Sequence, residues 1–516
     1  MDNTTYDIMI VGGGSAGWMS AATLIKEFPD KKIALIESPE IATVGVGEST
    51  IQQVRYWTNF LGIKEDQFLR HTDGTYKLSI RFTDFYKKGE SFHYPFGTPL
   101  IRESPDGPVQ IQGVNDGWYD WWYKKAIFPE TPYTDYANSY SPQMALVNQN
   151  KLSFNENQQY DNFRWTRDTA FHFDATKFGI WLRDNYCLPK GLVHIKEHIT
   201  DIKQNEDGIE SLNEKHKAKL FIDCTGFSSL LLGKTLKVPY KSYFPDLIPN
   251  NSAWTTRLPY KDKKKELRNY TDCKAVENGW IWRIPLWSRM GTGYVYSDKF
   301  IDDDGALKQF QKHLGTDELE FKKIKMRCGV HERLWEKNVV AIGLSAGFIE
   351  PLESTGLMTV HEFLRELIKE KRDRISQWDR DNFTYRCKSV LQPFAEFVAR
   401  HYALSHRNDT EYWKHIQNQT FLKEEWPTMY GLAHARLKLP YGQETREGGT
   451  HYLAAGMHYS PIDMTDAIFS THTTEENIKH EWMPYVENLT IRSKRWEETA
   501  KNEQSIYDFL KQNIYN

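Results

Sequence analysis

Three groups of residues in this chain have the types and spacing to do chemistry. The first is Gly12-x-Gly14-x-x-Gly17, set directly behind the apolar run Ile8–Val11 and ahead of Trp18–Ile25, which reads as a helix. Gly12 permits a tight turn, Gly14 lets a pyrophosphate approach the backbone, and Gly17 lets helix and strand pack closely. With Ser15 and Ala16 these residues open a helix whose first N–H groups suit phosphate. A second apolar run, Ile33–Ile36, ends in Glu37. That carboxylate follows Gly17 by about 20 residues, where a dinucleotide's ribose hydroxyls need an acceptor. The second group is the loop Phe348-Ile349-Glu350-Pro351-Leu352-Glu353-Ser354-Thr355-Gly356. It follows a short buried strand, Val339–Gly343, which runs into Leu344–Gly347. It precedes Leu357, Val360, Phe363, Leu364, Leu367 and Ile368 at helical spacing. The N–H groups at such a helix start suit an anion. Helix capping accounts for one of the two carboxylates more comfortably than for both. The third is Lys77. Tyr76, Leu78, Ile80 and Phe82 alternate with Lys77, Ser79 and Arg81, a strand pattern that turns Lys77 away from the apolar face. There it is either a solvated lysine or a lysine pointing into a polar cavity.

The intervening stretches must position these groups. Gly45 and Gly47 flank Val46 ahead of Ser49, which suits a strap against a flat ligand, or a plain loop. Ser91–Gly97 is aromatic and turn-rich, as a cavity lining would be. Residues 97–160 carry many Pro, Gly, Asn and Trp with little periodicity, and read as a covering insertion. Phe171–Thr176 leads into a helix capped by Asp174 or Thr176, and His172 reads as structural. Ala218–Gly226 reads as a buried strand that returns to the first sheet. In Gly279–Pro285, Trp280, Trp282 and Ile284 share one face and Pro285 ends the strand. Two adjacent indoles make a rigid wall, or simply sheet core. Gly291–Ser297 reads as the returning strand. Beyond Gln377 the chain reads as helical and polar. Pro440–Pro461 is loop-like and glycine-rich, and the last fifty residues read as one or two surface helices.

The bulk properties exclude several classes. The chain has 516 residues and a formal net charge of −3, with 40% hydrophobic and 26% charged residues. That length allows two or more domains. No apolar run reaches about 18 residues, so no membrane span is expected. No basic leader precedes the first strand, so no secretory signal is expected. No basic excess argues for nucleic acid. Five scattered cysteines without CxxC spacing predict reduced thiols and a cytoplasmic protein. No His, Cys and acid cluster has metal-ligand spacing, so no metal is expected. No GxSxG nucleophile elbow is present.

Taken together, the motifs resemble the flavin-dependent halogenases of the tryptophan-halogenase family. Gly12–Gly17 matches the family's FAD fingerprint, Gly279–Pro285 its WxWxIP signature, and Phe348–Gly356 its FxEPLESTG loop. The resemblance runs from the N-terminus to about Trp413. It implies an α/β (α+β) fold: a Rossmann-type FAD-binding module of the flavin-monooxygenase class with an inserted β-sheet over 1–376, and a mostly helical substrate-covering region over 377–516. It also implies that a separate flavin reductase supplies FADH2, which with oxygen and a halide ion forms a hypohalous acid that halogenates a small aromatic substrate. By position it makes Lys77 the catalytic lysine and Glu353 the catalytic glutamate. Thr355 and Gly356 become the halide site, and Gly45, Val46, Gly47 and Ser49 the strap over FAD. Gly343 and Leu344 join the cofactor site. Phe96 becomes a substrate wall, with His93 or Tyr94 as another, and Trp280 and Trp282 as further substrate-side walls. A homo-oligomer is expected. Tryptophan-specific members carry a Phe-Trp pair and adjoining tyrosines that Pro440–Gly449 lacks, so another indole, phenol or electron-rich aromatic is the expected substrate. The rival enzyme of the same fold is a flavin-dependent aromatic hydroxylase (monooxygenase), which lacks the WxWxIP signature. A flavin-binding sensor is the non-enzyme rival.

Overall fold

The apolar run near the N-terminus forms the strand Thr5–Val11, and the glycine turn behind it opens the helix Ser15–Glu27. The computed structural model describes residues 5–40, 48–100, 103–104, 107–108, 118–370, 375–418, 449–459 and 474–516. The chain divides into two compact units of three segments each: Met1–Thr75, Phe171–Pro259 and Leu286–Val398 form the first, and Tyr76–Ala170, Tyr260–Pro285 and Ala399–Asn516 the second. The fold is mixed α/β, with parallel and antiparallel sheets and many helices.

The first unit is built on a six-stranded sheet in the order Val193–Lys196, Ile33–Glu37, Thr5–Val11, Lys217–Asp223, Val339–Ala341, Trp335–Glu336. The first five run parallel and the last is antiparallel. Leu35, Ile10, Ile222 and Val340 lie side by side in register and are all buried. That explains their unbroken apolar runs, since a parallel sheet is covered on both faces. Helix Ser15–Glu27 packs against helices Ala175–Leu182 and Gly356–Leu367. Ala218–Gly226 returns to this sheet as expected, paired directly with the first strand. In the same unit Ser252–Leu258 lies antiparallel between Met290–Tyr296 and Lys322–Lys325.

The second unit holds four strands in the order Gly279–Pro285, Tyr270–Val276, Ser79–Thr83, Ser91–Pro95. The register sorts their side chains onto two faces. Trp282, Cys273, Phe82 and Phe92 form one row, and Ile80 and Tyr94 are paired on that same face. Asp272, Arg81 and His93 form a row on the other. Helix Glu475–Lys501 packs on Trp118–Ile127, Asp135–Tyr140 and Met144–Asn148. Helix Thr450–Gly456 packs on Ser91–Pro95.

Three local readings change. Residues 97–160, read as having little periodicity, contain among the described residues three helices, Trp118–Ile127, Asp135–Tyr140 and Met144–Asn148, of which two are too short to show a period. Pro440–Pro461 contains the buried helix Thr450–Gly456, while 440–448 and 460–461 lie outside the described residues. The strand around Lys77 is two strands, Thr75–Lys77 and Ser79–Thr83, broken at Leu78, whose N–H donates to the Asn269 carbonyl. The helical reading of the C-terminal region holds in Gln377–Ala403, Glu411–Asn418, Glu475–Lys501 and Ile506–Asn513. All five cysteines are free and buried. Among the described residues no helix is long and apolar enough to cross a membrane, and no group of His, Cys, Asp and Glu could hold a metal ion.

Candidate active site

In the first unit the glycine turn is as tight as its spacing demands. Gly12 sits at φ +111°, and a Cβ there would stand 2.4 Å from the Cys224 carbonyl oxygen. A Cβ on Gly17 would stand 1.9 Å from the Gly12 oxygen, and one on Gly13 would run into the Glu37 carboxylate. Gly14 is the extended residue that precedes the helix. No side chain caps that helix start and no acid lies in its first turn, so its N–H groups remain open to phosphate. Glu37 lies beside the turn and is tied to His194 Nε2 at 2.7 Å, with its other oxygen toward Gly13. A carboxylate accepts about four hydrogen bonds, so one to His194 leaves capacity for ribose hydroxyls. Gly343 comes against Ala16, where a Cβ would stand 2.7 Å from that methyl, and Leu344 follows in the same tight turn. A cradle with no room for a Cβ at Gly12, Gly13, Gly17 or Gly343, an uncapped helix start and a carboxylate at the ribose position fit an FAD.

The sequence singled out the strand Lys217–Asp223 only as a return to the sheet. Its last residue, the buried Asp223, accepts from Thr225 N and Oγ1 at 3.1 and 2.6 Å and from the Leu231 and Leu232 N–H groups at 2.8 and 2.9 Å. Ser345, next to Leu344, donates to the Asp223 carbonyl. Asp223 thus ties the end of the central strand to the Gly343–Ser345 turn, and only its place before a glycine turn signalled it.

The Phe348–Gly356 loop separates its two carboxylates. Glu350 is wholly buried and accepts from Asn250 Nδ2 at 2.9 Å, a structural tie. Glu353 ends the turn Pro351–Glu353 and is 2% exposed. Ser354 takes a left-handed backbone and donates to Ser49 Oγ at 3.0 Å, so the loop meets the strand Glu48–Ser49. Thr355 is buried immediately before helix Gly356–Leu367, which has no side-chain cap and no acid in its first turn. A Cβ on Gly356 would meet nothing within 4 Å. Open space beside uncapped N–H groups suits a halide. Next to Ser49, burial, with Asp174 nearby, pushes the Glu48 carboxyl up to about 7. Gly45, Val46 and Gly47 lie outside the described residues. Asp174, rather than Thr176, caps the helix Ala175–Leu182, and buried His172 bonds Thr75 Oγ1 at 3.0 Å through Nδ1, a structural contact.

In the second unit Lys77 is not a solvated lysine: it is 0% exposed. Its Nζ stands 5.0 Å from the centroid of the Phe96 ring, within cation–π reach. Phe96 meets Tyr94 edge to face at 6.1 Å. Tyr94 therefore joins Phe96 and Lys77. His93 faces the other side of the sheet, where Ser79 Oγ bonds its Nδ1 at 3.0 Å and Tyr270 meets its ring at 5.1 Å. Burial, helped by the Arg81 guanidinium, pushes the His93 imidazole down to about 3, so it is neutral at ordinary pH. Trp280 and Trp282 are buried, 5.9 Å apart, three strand positions from Ser91–Pro95, or about 14 Å at the usual strand spacing. The structure does not bring them to Tyr94 and Phe96; they form sheet core in this unit. Sequence reasoning missed Tyr452, from helix Thr450–Gly456, whose ring stacks on Tyr94 at 5.6 Å. A seven-residue helix in a glycine-rich stretch gives no period to find it by.

Comparison with known proteins agrees over nearly the whole chain. Residues 7–465 match the family model described as Tryptophan halogenase. The tryptophan 6-halogenase SttH of Streptomyces toxytricini is 34% identical over 438 residues, 79% of this chain and 80% of that protein. The tryptophan 7-halogenase RebH of Lentzea aerocolonigenes is 32% identical over 430 residues, 79% of this chain and 78% of that protein. Among solved structures, the apo structure of VirX1 superposes with a TM-score of 0.88 at 35% identity, covering 99% of this chain and 100% of that one. The crystal structure of SttH superposes with a TM-score of 0.81 at 28% identity, covering 98% and 99%. With the glycine cradle, the loop and the fold all in agreement, the chain belongs to the tryptophan halogenase family and is a flavin-dependent halogenase.

Proposed function

We propose that this enzyme halogenates an electron-rich aromatic of the indole or phenol type other than free tryptophan, using FADH2 delivered by a separate flavin reductase. The observation that carries this reading is Lys77: a fully buried ammonium laid over Phe96, with Tyr94 next to it, in place of a lysine in water. The missing Phe-Trp pair in Pro440–Gly449 argues against free tryptophan. Bound reduced FAD, with oxygen, supplies the oxidant that converts halide to hypohalous acid.

Gly12, Gly14, Ser15, Ala16 and Gly17 hold the pyrophosphate, Glu37 the ribose, and Gly343, Leu344 and Ser49 border the flavin. Thr355 and Gly356 hold the halide at an uncapped helix start. Lys77 holds the hypohalous acid by hydrogen bonding, or as a haloamine. From the hypohalous acid the ring carbon takes the halogen and hydroxide is released; a base such as Glu353 takes the ring proton and passes it to the hydroxide, which leaves as water. Burial of Lys77 keeps the oxidant from solvent, where it would react indiscriminately.

The test is mass spectrometry of an aromatic panel that includes phenol, indole and free tryptophan, incubated with enzyme, FAD, a flavin reductase, NADH and chloride, bromide or iodide separately. Halogenated indole or phenol is expected, with little product from free tryptophan. Hydroxylated products alone, or tight and selective turnover of free tryptophan, would overturn the reading.

A further inference from the structure

Leu78, where the strand breaks after Lys77, is held at both ends. Its N–H donates to the Asn269 carbonyl at 2.7 Å, and its carbonyl accepts from the Phe96 N–H at 3.0 Å. One residue therefore links the backbone of Lys77 to the backbone of Phe96, whose ring lies 5.0 Å from the lysine Nζ. Asn269 immediately precedes the strand Tyr270–Val276 and is itself clamped. Its Nδ2 donates to the Leu146 and Lys151 carbonyls at 3.1 and 2.8 Å, and its N–H donates to Asn150 Oδ1 at 3.2 Å. Asn150 takes a left-handed backbone, donates from Nδ2 to the Leu267 carbonyl at 2.8 Å, and accepts at its own carbonyl from the Ile506 N–H at 3.1 Å. Asn269 is wholly buried. Two carbonyl oxygens meet the same end of its amide, so that end is the NH2 donor; neither a carboxylate nor a hydrocarbon side chain serves both. A lysine side chain is long and loses much freedom on burial, so its ammonium stays in place only if its backbone does.

We propose that Asn269 is a positioning residue for halogenation, which keeps the Lys77 ammonium over Phe96 by fixing the carbonyl that receives the Leu78 N–H. The inference rests on the proposed reading of Lys77 as the group that holds the hypohalous acid, and deepens it. Asn269 acts through Leu78 and not on the reacting atoms. With its amide in place, the backbones of Lys77 and Phe96 are anchored to one fixed point. Without it that carbonyl shifts, the lysine Nζ shifts with it, and the hypohalous acid escapes to solvent before it meets the ring.

The experiment compares the parent with Asn269→Ala, Asn269→Asp, Lys77→Ala and the control Asn155→Ala. Each is loaded with chemically reduced FAD and mixed with oxygenated buffer containing bromide and indole. Asn155 is buried in the same unit but bonds the Phe163 carbonyl and the Tyr160 N–H, so its loss reports on packing alone. The readouts are brominated indole per flavin oxidised, the rate of flavin oxidation, and Tm. Asn269→Ala should lower the yield per flavin about ten- to a hundredfold, the loss expected when a reacting group is misplaced by about 1 Å, with the rate of flavin oxidation unchanged. Asn155→Ala should lower Tm and keep the parental yield per flavin. In Asn269→Asp the protonated acid restores one of the two donated hydrogen bonds, whereas the ionised form repels both carbonyls. Its yield relative to the parent at the same pH should therefore recover as pH falls from about 8.5 to about 6, and that of Asn269→Ala should not. A parental yield in Asn269→Ala, or a loss no greater than that in Asn155→Ala, overturns the proposal. Should Asn269→Ala fail to fold, Asn150→Gly keeps the left-handed turn and removes the acceptor of the Asn269 N–H, and a parental yield there overturns it too. A parental yield in Lys77→Ala sinks the reading of Lys77 and this inference with it, whereas a yield lost in Lys77→Ala but kept in Asn269→Ala sinks this inference alone.

Discussion

Lys77 and Glu48 carry the chemistry most exposed to test at the residue scale. Lys77 is wholly buried over an aromatic ring, an unusual place for an ammonium, and a surface substitution would be nearly silent by contrast. Lys77→Ala should keep FAD binding and oxygen consumption but lose halogenated product by about a thousandfold or more, with each tenfold worth about 1.4 kcal/mol of transition-state stabilisation. Glu353→Gln keeps shape and removes basicity, so its loss should be smaller. Product formation and flavin oxidation, measured together, check both, and parental halogenation by Lys77→Ala would refute the lysine assignment. Glu48 predicts a pH effect. Its folded-state pKa of about 7 lies above the value near 4.5 of a free glutamate. Below 4.5 it is protonated in both states and costs nothing. As pH rises from 4.5 to 7 the unfolded chain ionises while the folded one holds its proton, so stability falls. Glu48→Gln should leave Tm unchanged at pH 4.5 and raise it at pH 8, read by thermal melts of the flavin-free chain. A parental Tm at pH 8 would remove the assignment.

Elements rather than single residues decide how much of this was legible in advance. The strand, turn, helix, strand and acid from Thr5 to Glu37 stood in the sequence because each step is local, and the glycine spacing is dictated by contacts a Cβ would destroy. Gly17→Ala should therefore lower Tm by several degrees and weaken FAD binding at least about tenfold, since its methyl would land on the Gly12 carbonyl and helix and strand would have to separate. Calorimetry and a flavin titration read the two effects, and unchanged values in both would mean that the turn relaxes freely. The loop around Glu353 was legible for the same local reason. Its division of labour was not, because Glu350 is anchored by Asn250, about a hundred residues earlier, and no periodicity reports such a pairing. Lys77 shows the limit of alternation. The pattern set it opposite Ile80 and Phe82, but the strand breaks at Leu78 and the lysine Nζ lies over Phe96, which meets Tyr94 on the Ile80 face. His93 and Tyr94 differ by one position, and only the register with Ser79–Thr83 sends them to opposite faces. Tyr452 was beyond reach, since a seven-residue helix of about two turns is too short to show a period and its contacts come from distant chain.

At the scale of the whole molecule, the composition and the motif count constrain how electrons reach the site. The 516 residues contain a single GxGxxG turn, and the resemblance assigns it to FAD. A protein that also took hydride from NADH would need a second dinucleotide cradle, with its own glycine turn and ribose acceptor. The chain should therefore be unable to reduce its own flavin. Two anaerobic experiments separate this from a merely slow reaction. NADH or NADPH added to the chain with FAD should leave the oxidised flavin absorption band unbleached over the time in which a catalytic amount of flavin reductase bleaches it fully. FAD reduced chemically beforehand, and mixed with chain, halide, indole and oxygenated buffer, should give halogenated indole without any reductase. If the reductase only delivers FADH2, the yield per reduced flavin should be the same from either source. Bleaching by NADH alone at the rate of turnover would show a hydride site that the sequence does not announce. A yield that depends on the reductase after chemical reduction would show instead that the reductase does more than supply, and that the flavin passes between proteins rather than through solvent.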